Sequence, residues 1–260
     1  MKYFVVDAFT DAVFRGNPAG VCIADEWPED IVMQKIAAEN RLSETAFIVP
    51  RGGFYDLRWF TPVREVDLCG HATLGSSYVV SHFLEPDAER IEFHTVSGTL
   101  TVERGGEHHY VLDFPTRRPE PANPPEHLAR ILGAEPLGVY RSRDLLVLLD
   151  SEETVLSLAP DFERMAKLGA VEGIIVTARG NRTDFVSRCF YPKLGIPEDP
   201  VTGSAHCNLI PFWAERLEKA EMTAAQVSER GGLLSCRLCG DRVRIGGDAA
   251  LYLAGEIHPF

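Results

Sequence analysis

The sequence has little basic charge and no long apolar run. Its 26 lysines and arginines are outnumbered by 38 aspartates and glutamates, so the formal net charge is −12. Nucleic acids and anionic membranes repel a chain this acidic. No apolar segment approaches the ~20 residues that a membrane-spanning helix needs. Residues 1–7 also lack the basic flank and apolar stretch of a secretory signal. We therefore expect a cytoplasmic protein without nucleic acid or membrane partners.

The sequence also lacks the common metal and nucleotide motifs. Its six cysteines are scattered, and in a chain without an export signal they are expected to be reduced. Cys236 and Cys239 have CxxC spacing, but no second pair with zinc-like spacing is found. Walker and serine-nucleophile motifs are missing as well. The sequence thus predicts no metal site.

Two short segments of similar layout stand out against this background. Residues 198–206 read Glu-Asp-Pro-Val-Thr-Gly-Ser-Ala-His, and residues 65–73 read Glu-Val-Asp-Leu-Cys-Gly-His-Ala-Thr. Each leads into a predicted helix through small residues. Pro200 disfavours helix at the residue before it, and Thr202 is a natural N-cap. Two such segments in one chain suggest a site built from matching halves.

The order of predicted elements recurs along the chain. Helices are predicted at 70–83 and 203–215, and each follows a strand that ends in a proline turn, at 59–62 and at 189–192. A proline-rich stretch at 116–125 is the best linker candidate. The pattern favours a mixed α/β (α+β) fold of two pseudo-symmetric halves, each a mixed or antiparallel sheet wrapped around a central helix. The predicted domains are 1–115 and 116–260, with a last strand that can cross back to the first half. The alternative is that the two halves resemble each other by coincidence, since a strand that ends in a proline turn before a helix is a common arrangement.

Glu44 is a candidate proton carrier because it immediately precedes an apolar strand. Partial burial disfavours the charged form of a carboxyl and brings it into the range useful for acid–base work. The alternative is a surface carboxylate paired with Arg41 or Arg64.

Cys69 and Thr202 occupy equivalent places before the two helix glycines. A thiol at a helix N-terminus is acidified, so Cys69 could act as a base, whereas the hydroxyl of Thr202 cannot near neutral pH. His71 is a candidate donor or proton relay. His206, three residues into the second helix, is left without an assigned role.

Uncovered N–H groups at the two helix starts form a predicted anion site. The backbone at residues 70–72 and 203–205 would hold a substrate carboxylate, and Asn17 would contribute its amide from a turn. A small anionic metabolite is therefore the expected ligand.

Five motifs in order resemble the PhzF-like phenazine-biosynthesis family. They are residues 14–21, 43–47, 60–62, 69–71 and 198–205. The resemblance covers essentially the whole chain and implies the diaminopimelate-epimerase fold, a cleft between two domains and a homodimer. It also implies proton transfer by Glu44, supported by His71, Asp199 and Ser204, without a metal or an organic cofactor. Cys69 and His206 leave the identity of the substrate open.

The sequence therefore predicts a cofactor-independent isomerase that moves a proton on a small carboxylate-bearing, amino-acid-like or cyclic substrate. Two alternatives stay open: a Cys69-dependent dehydratase or racemase of the proline-racemase type, and a non-catalytic metabolite-binding protein of the same fold. The complete set of candidate site residues comprises Glu44, His71, Asp199 and Ser204 for catalysis, Asn17, Gly70, Ala72, Gly203 and Ala205 for substrate binding, and Cys69 and Thr202 as further candidates.

Overall fold

Strands dominate the computed structural model, which describes residues 1–169 and 171–259. The strands are β1 (Lys2–Ala8), β2 (Asn17–Ile23), β3 (Glu44–Pro50), β4 (Tyr55–Phe60), β5 (Glu65–Val66), β6 (Arg90–Thr95), β7 (Gly98–Arg104), β8 (His109–Pro115), β9 (Glu120–Pro121), β10 (Gly138–Arg141), β11 (Leu145–Leu148), β12 (Ile174–Arg179), β13 (Phe185–Tyr191), β14 (Ile196–Asp199), β15 (Glu221–Gln226), β16 (Gly232–Cys239) and β17 (Arg242–Glu256).

Helices are fewer and mostly short. They are α1 (Asp30–Asn40), α2 (Gly70–Phe83), α3 (Leu128–Leu132), α4 (Glu152–Ser157), α5 (Phe162–Ala166) and α6 (His206–Leu217), with 3₁₀ turns at Pro192–Leu194 and Gly203–Ala205. Throughout the described part of the chain, no helix has both the length and the apolar character needed to cross a membrane. The residues form two compact units, Met1–Phe114 with Ile245–Phe260 as unit 1 and Pro115–Arg244 as unit 2.

In unit 1 the strands close into a barrel. β2 is parallel to β3, β3 is antiparallel to β4, and β4 is parallel to β6. β6, β7 and β8 continue as antiparallel neighbours. β17 pairs with both β8 and β1, and β1 pairs with β2, so the ring has no free edge at that point. A closed sheet of this kind satisfies the hydrogen bonds of edge strands that would otherwise be exposed.

Helix α2 is enclosed by this barrel. Its first twelve residues, 70–81, are all buried, and it contacts β1, β2 and β3. Small side chains allow the close approach: a Cβ atom added at Gly75 would lie 3.3 Å from Cβ of Ala19 on β2. Serine and threonine hydroxyls inside the helix bond to the backbone one turn earlier, as Ser77 does to the carbonyl of Thr73 at 2.8 Å. A helix that is buried on every side does not need a polar face, and the sequence of α2 accordingly shows no amphipathic stripe.

Unit 2 repeats the pairing order of unit 1. β10 is antiparallel to β11, β11 parallel to β12, β12 antiparallel to β13, and β13 parallel to β15. Even the register agrees, since Phe60 lies opposite Thr45 and Phe190 lies opposite Ile174. Helix α6 follows β14 as α2 follows β5. The predicted fold class, two pseudo-symmetric halves with mixed sheets around a central helix, is confirmed.

The two faces of β12 show how unit 2 is layered. Ile174, Val176 and Ala178 face a hydrophobic core that includes residues of α3, α4 and α5. Thr177 alternates with them, and its hydroxyl accepts a hydrogen bond from the indole N–H of Trp213 on α6 at 2.9 Å. Because successive strand residues point to opposite faces, this one strand separates the two helical layers.

The structure differs from the predicted elements in two ways. The predicted single helix at 203–215 is a 3₁₀ turn followed by α6, which extends to Leu217. The hairpin of β10 and β11 and the strand β15 were not predicted. These strands are short or rich in small residues, so pairing with their neighbours decides their conformation more than intrinsic propensity does.

Pro211 lies inside α6 because its missing hydrogen bond is replaced. A proline within a helix cannot donate to the carbonyl four residues earlier. That carbonyl belongs to Cys207, and it accepts the backbone N–H of Arg117 at 2.8 Å instead. The start of the predicted linker is thus hydrogen-bonded to the helix.

Gly173 offers a test of the packing in unit 2. A Cβ atom at this position would lie 2.1 Å from Cε1 of the buried Tyr191 ring, which has little room to move. We expect Gly173→Ala to lower the free energy of unfolding by about 1–3 kcal/mol, as overpacking does. Gly169→Ala is the matched control because nothing lies within 4 Å of its added Cβ. Equal urea midpoints for the two variants would contradict the close contact.

Candidate active site

In unit 1, three candidate residues meet where β3 begins and α2 begins. Glu44 is the first residue of β3, Cys69 is the N-cap residue of α2, and His71 is its second residue. Nε2 of His71 lies 3.4 Å from Oε2 of Glu44, and Nδ1 of the same ring lies 3.5 Å from Sγ of Cys69. A thiol, an imidazole and a carboxylate therefore form one contiguous cluster.

Burial controls the protonation of His71 in this cluster. The side chain of His71 is 4% exposed and that of Glu44 is 14% exposed. Burial lowers the pKa of His71 to about 3, because the imidazolium loses its hydration. His71 is therefore neutral at physiological pH. A neutral ring can donate or accept a hydrogen bond without placing a positive charge beside Glu44.

The first turn of α2 supplies the backbone part of the site. Gly70 and Ala72 are buried, and no acidic side chain occurs in this turn. Thr73 holds the entry in place, since both its N–H, at 3.2 Å, and its hydroxyl, at 2.5 Å, donate to the carbonyl of Cys69. First-turn N–H groups have no acceptor within their own helix and carry the positive end of its dipole. Asn17, the first residue of β2, is also buried in unit 1.

In unit 2, Asp199 and Thr202 form a second buried group. The Thr202 hydroxyl donates to Oδ2 of Asp199 at 2.5 Å. Thr202 is the N-cap residue of the 3₁₀ turn, as expected, but its hydroxyl makes no capping bond to that turn. The hydroxyl oxygen instead accepts a hydrogen bond from Nε2 of Gln226 at 3.2 Å. Gly203 and Ala205 are buried in the 3₁₀ turn, and Ser204 between them is partly exposed.

Gln226, which was not among the predicted site residues, is hydrogen-bonded to both members of this second group. Its side-chain Oε1 accepts the N–H of Thr202 at 2.8 Å, and its Nε2 donates to the carbonyl of Asp199 at 2.7 Å. Gln226 is fully buried at the end of β15. A buried amide has to find partners, so a glutamine within a predicted strand was the signal available.

Arg188, which was also not among the predicted site residues, pairs with Glu198 on β14. Its guanidinium makes two 2.8 Å bonds to the carboxylate of Glu198 and also donates to the carbonyls of Val155 and Leu158 at 3.1 and 2.9 Å. This fork holds β14, and with it Asp199, against α4. An arginine in the middle of an apolar strand was the available signal.

His206 has a structural part in unit 2. Its Nδ1–H donates to the carbonyl of Thr202 at 2.9 Å, since a carbonyl oxygen only accepts. Burial lowers the pKa of His206 to about 4, although the bond to Thr202 acts in the opposite direction. The ring is 0% exposed and lies within 6.0 Å of the Phe185 ring.

The structure thus brings the candidates together in two sets. Unit 1 holds Glu44, Cys69 and His71 beside the first turn of α2, and unit 2 holds Asp199 and Thr202 beside the Gly203–Ala205 turn. That both sets face one shared cleft, and that they act in catalysis, stay predictions.

Comparison with known proteins identifies the family. The model of the phenazine biosynthesis-like proteins matches residues 6–255. This chain belongs to that family. A Pseudomonas aeruginosa protein described as an uncharacterized isomerase is 51% identical over 258 residues, which cover 99% of each chain. The PhzF-family crystal structure from Enterococcus faecalis has 48% identity and a TM-score of 0.96, and the match covers 99% of this chain and 98% of that one.

A more distant structure shares the fold alone. A probable proline racemase from Agrobacterium radiobacter superposes with a TM-score of 0.67 at 9% identity, over 99% of this chain and 92% of the other. The names of the close relatives support isomerase as the general class of activity.

His206 gives a prediction about stability and pH. Its folded pKa of about 4 lies below its unfolded value of about 6.5, so the unfolded chain binds the proton first as the pH falls. This contribution to stability is complete above pH ~6.5 and is lost as the pH falls toward 4; it amounts to about 2 kcal/mol between pH 7.5 and 5. His71 adds a loss of the same sign.

The measurement is urea unfolding at the two pH values. His206→Gln removes one titrating group and should flatten the pH dependence by about 2 kcal/mol. His258→Gln, at an exposed histidine, should keep the slope of the wild type. An unchanged slope in His206→Gln would contradict the buried neutral state.

Proposed function

We propose that this protein is an isomerase that moves a proton on a small carboxylate-bearing substrate, with Glu44 as the proton carrier. The observation that carries the proposal is the shielded contact of Glu44 with His71 at 3.4 Å, at the start of the buried helix α2. Family membership and the isomerase names of close relatives support the reaction class. The substrate class comes from the chemistry of the site.

The neutral state of His71 preserves the basicity of Glu44. A cationic imidazolium at this distance would stabilise the carboxylate and make it a poorer base. Because burial lowers the pKa of His71 to about 3, the ring adds no such charge. Glu44 can then take a proton from one carbon of the substrate and return it to another, while His71 exchanges hydrogen bonds with it.

The substrate carboxylate is assigned to the backbone N–H groups at residues 70–72. These donors lie at the positive end of the α2 dipole, and no acidic side chain of the first turn competes for them. The same donors would stabilise enolate-like charge that develops during proton removal. Asn17 is assigned to the same substrate in unit 1, and residues 203–205, with Ser204 and the buried Asp199, stay predicted site residues of unit 2. This mechanism uses no organic cofactor.

A second candidate is a Cys69-dependent racemase or dehydratase. The 3.5 Å contact between Sγ of Cys69 and Nδ1 of His71 favours it, because the thiol lies within hydrogen-bond reach of the ring. A two-base racemase needs a second acceptor on the opposite face of the substrate. The equivalent position in unit 2 is Thr202, whose hydroxyl is already donated to Asp199. We therefore rank this candidate second, and a non-catalytic binding protein third.

The proposal predicts a specific loss in Glu44→Gln. Glutamine keeps the size and the hydrogen bonding but cannot carry the proton, so proton exchange should fall by about 10²-fold or more while binding is largely kept. The measurement is incorporation of solvent deuterium into a panel of amino acids and cyclic carboxylates, followed by NMR. Glu107→Gln, at an exposed carboxylate, is the matched control and should retain full exchange.

Cys69→Ser separates the two enzymatic candidates in the same assay. With Glu44 as the carrier, this variant should lose less than about 10-fold, because serine can still donate to His71. Exchange that survives in Glu44→Gln and disappears in Cys69→Ser would overturn the assignment of Glu44 and favour the racemase-like mechanism. Specific binding of a panel compound without any exchange in the wild type would favour the binding protein.

A further inference from the structure

The cluster in unit 1 contains three different kinds of metal ligand. The thiol of Cys69, the imidazole of His71 and the carboxylate of Glu44 each offer one donor atom, and these atoms all lie within 4.8 Å of one another. No other group of three or more such side chains occurs within residues 1–169 and 171–259. Sequence spacing did not reveal it, because Glu44 comes from a different element than the other two residues.

The imidazole of His71 is prepared to accept a cation. Its Nε2 is buried and has no hydrogen-bond partner, although the Glu44 carboxylate is 3.4 Å away. A histidine binds a metal ion through a ring nitrogen that carries no proton, so this buried and unpartnered nitrogen is an available donor atom.

The distances agree with a tetrahedral ion after a small adjustment. Ligand atoms at about 2.0–2.3 Å from zinc lie about 3.3–3.8 Å from one another. Sulfur and oxygen already lie 3.5 and 3.4 Å from the ring, the first from Nδ1 and the second from Nε2. A rotation of the imidazole that turns one nitrogen toward both partners completes the three-ligand set. The fourth position is left for water.

The charges of the ligands also balance that of a divalent cation in this buried cluster. Binding replaces the thiol proton with the metal, so Cys69 becomes a thiolate and one proton leaves for solvent. A thiolate and a carboxylate together neutralise a divalent cation, and the neutral imidazole adds no charge. A site without net charge avoids the large cost of burying an unpaired ion. Sulfur and nitrogen ligands favour zinc-like ions, whereas magnesium and calcium prefer oxygen.

We propose that Glu44, Cys69 and His71 bind one thiophilic divalent cation of the zinc class. The ion occupies the carboxylate that the proposed function uses for proton transfer, so it should act as an inhibitor of that reaction. This consequence rests on the proposed function, whereas the binding itself does not.

Cobalt is the probe, because its tetrahedral thiolate complexes absorb visible and near-ultraviolet light. The untagged protein is stripped with a chelator and titrated with CoCl₂ under reducing conditions. We expect one ion per chain, tetrahedral bands with a sulfur-to-cobalt charge-transfer band, and release of about one proton in a weakly buffered dye assay. Addition of ZnCl₂ should displace the cobalt and remove the bands.

Variants identify the ligands. Cys69→Ser should abolish the charge-transfer band. His71→Gln and Glu44→Gln should each weaken cobalt binding by at least about 100-fold, which is at or above the loss expected when a residue only hydrogen-bonds to a ligand. Cys239→Ser is the control, because Cys239 is the exposed cysteine and lies outside the cluster. Thermal unfolding in EDTA shows whether each variant is folded. If one ligand variant does not fold, the other still tests the proposal, because Glu44 lies in β3 and His71 lies in α2.

The outcomes are distinct. A single tetrahedral site that is lost in the three ligand variants and kept in Cys239→Ser supports the proposal. No stoichiometric binding in the wild type, or binding unchanged in folded Cys69→Ser and His71→Gln, would overturn it. Tight zinc binding without inhibition of proton exchange would leave the metal site standing and count against the role of Glu44 in the proposed function.

Discussion

The complete burial of α2 is the constraint on which the rest of unit 1 depends. Strands can approach α2 closely because much of its surface consists of small residues, among them Gly70, Ala72 and Gly75. The ring of strands closes around it through β17, which returns from the end of the chain to pair with β1 and β8. Because the first turn of α2 is fixed by this enclosure, Cys69 and His71 have little freedom to leave Glu44.

The two units share one order of strand pairing but carry different side chains before the central helix. In unit 1 the residue before the helix glycine is a thiol in contact with an imidazole. In unit 2 the equivalent residue, Thr202, is committed to Asp199 and to the amide of Gln226. Gly173 takes the place that Glu44 has in unit 1, and the ring of Tyr191 fills the space above it. The two units thus share the pairing order but differ in the side chain at this position, a carboxylate in unit 1 and a glycine in unit 2.

Desolvation links the stability of the fold to the chemistry of the cluster. Two histidines are buried in neutral form, and the cost of charging them makes the fold sensitive to acid. The same cost keeps His71 from forming an ion pair with Glu44 at neutral pH. One physical effect, the loss of hydration on burial, therefore lowers the pKa of both histidines and keeps His71 neutral beside Glu44.

The sequence by itself determined the fold class, the extent of α2 and the family, because these depend on the order of local elements, on a contiguous run of small residues and on short motifs. It also singled out Glu44, His71 and Cys69 as separate candidates. Only the tertiary structure decided that these three side chains touch, that Thr202 bonds to Asp199 instead of capping a helix, and that Gln226 and Arg188 hold the second group. Contacts between distant strands depend on register and burial, and neither leaves a local pattern in the sequence.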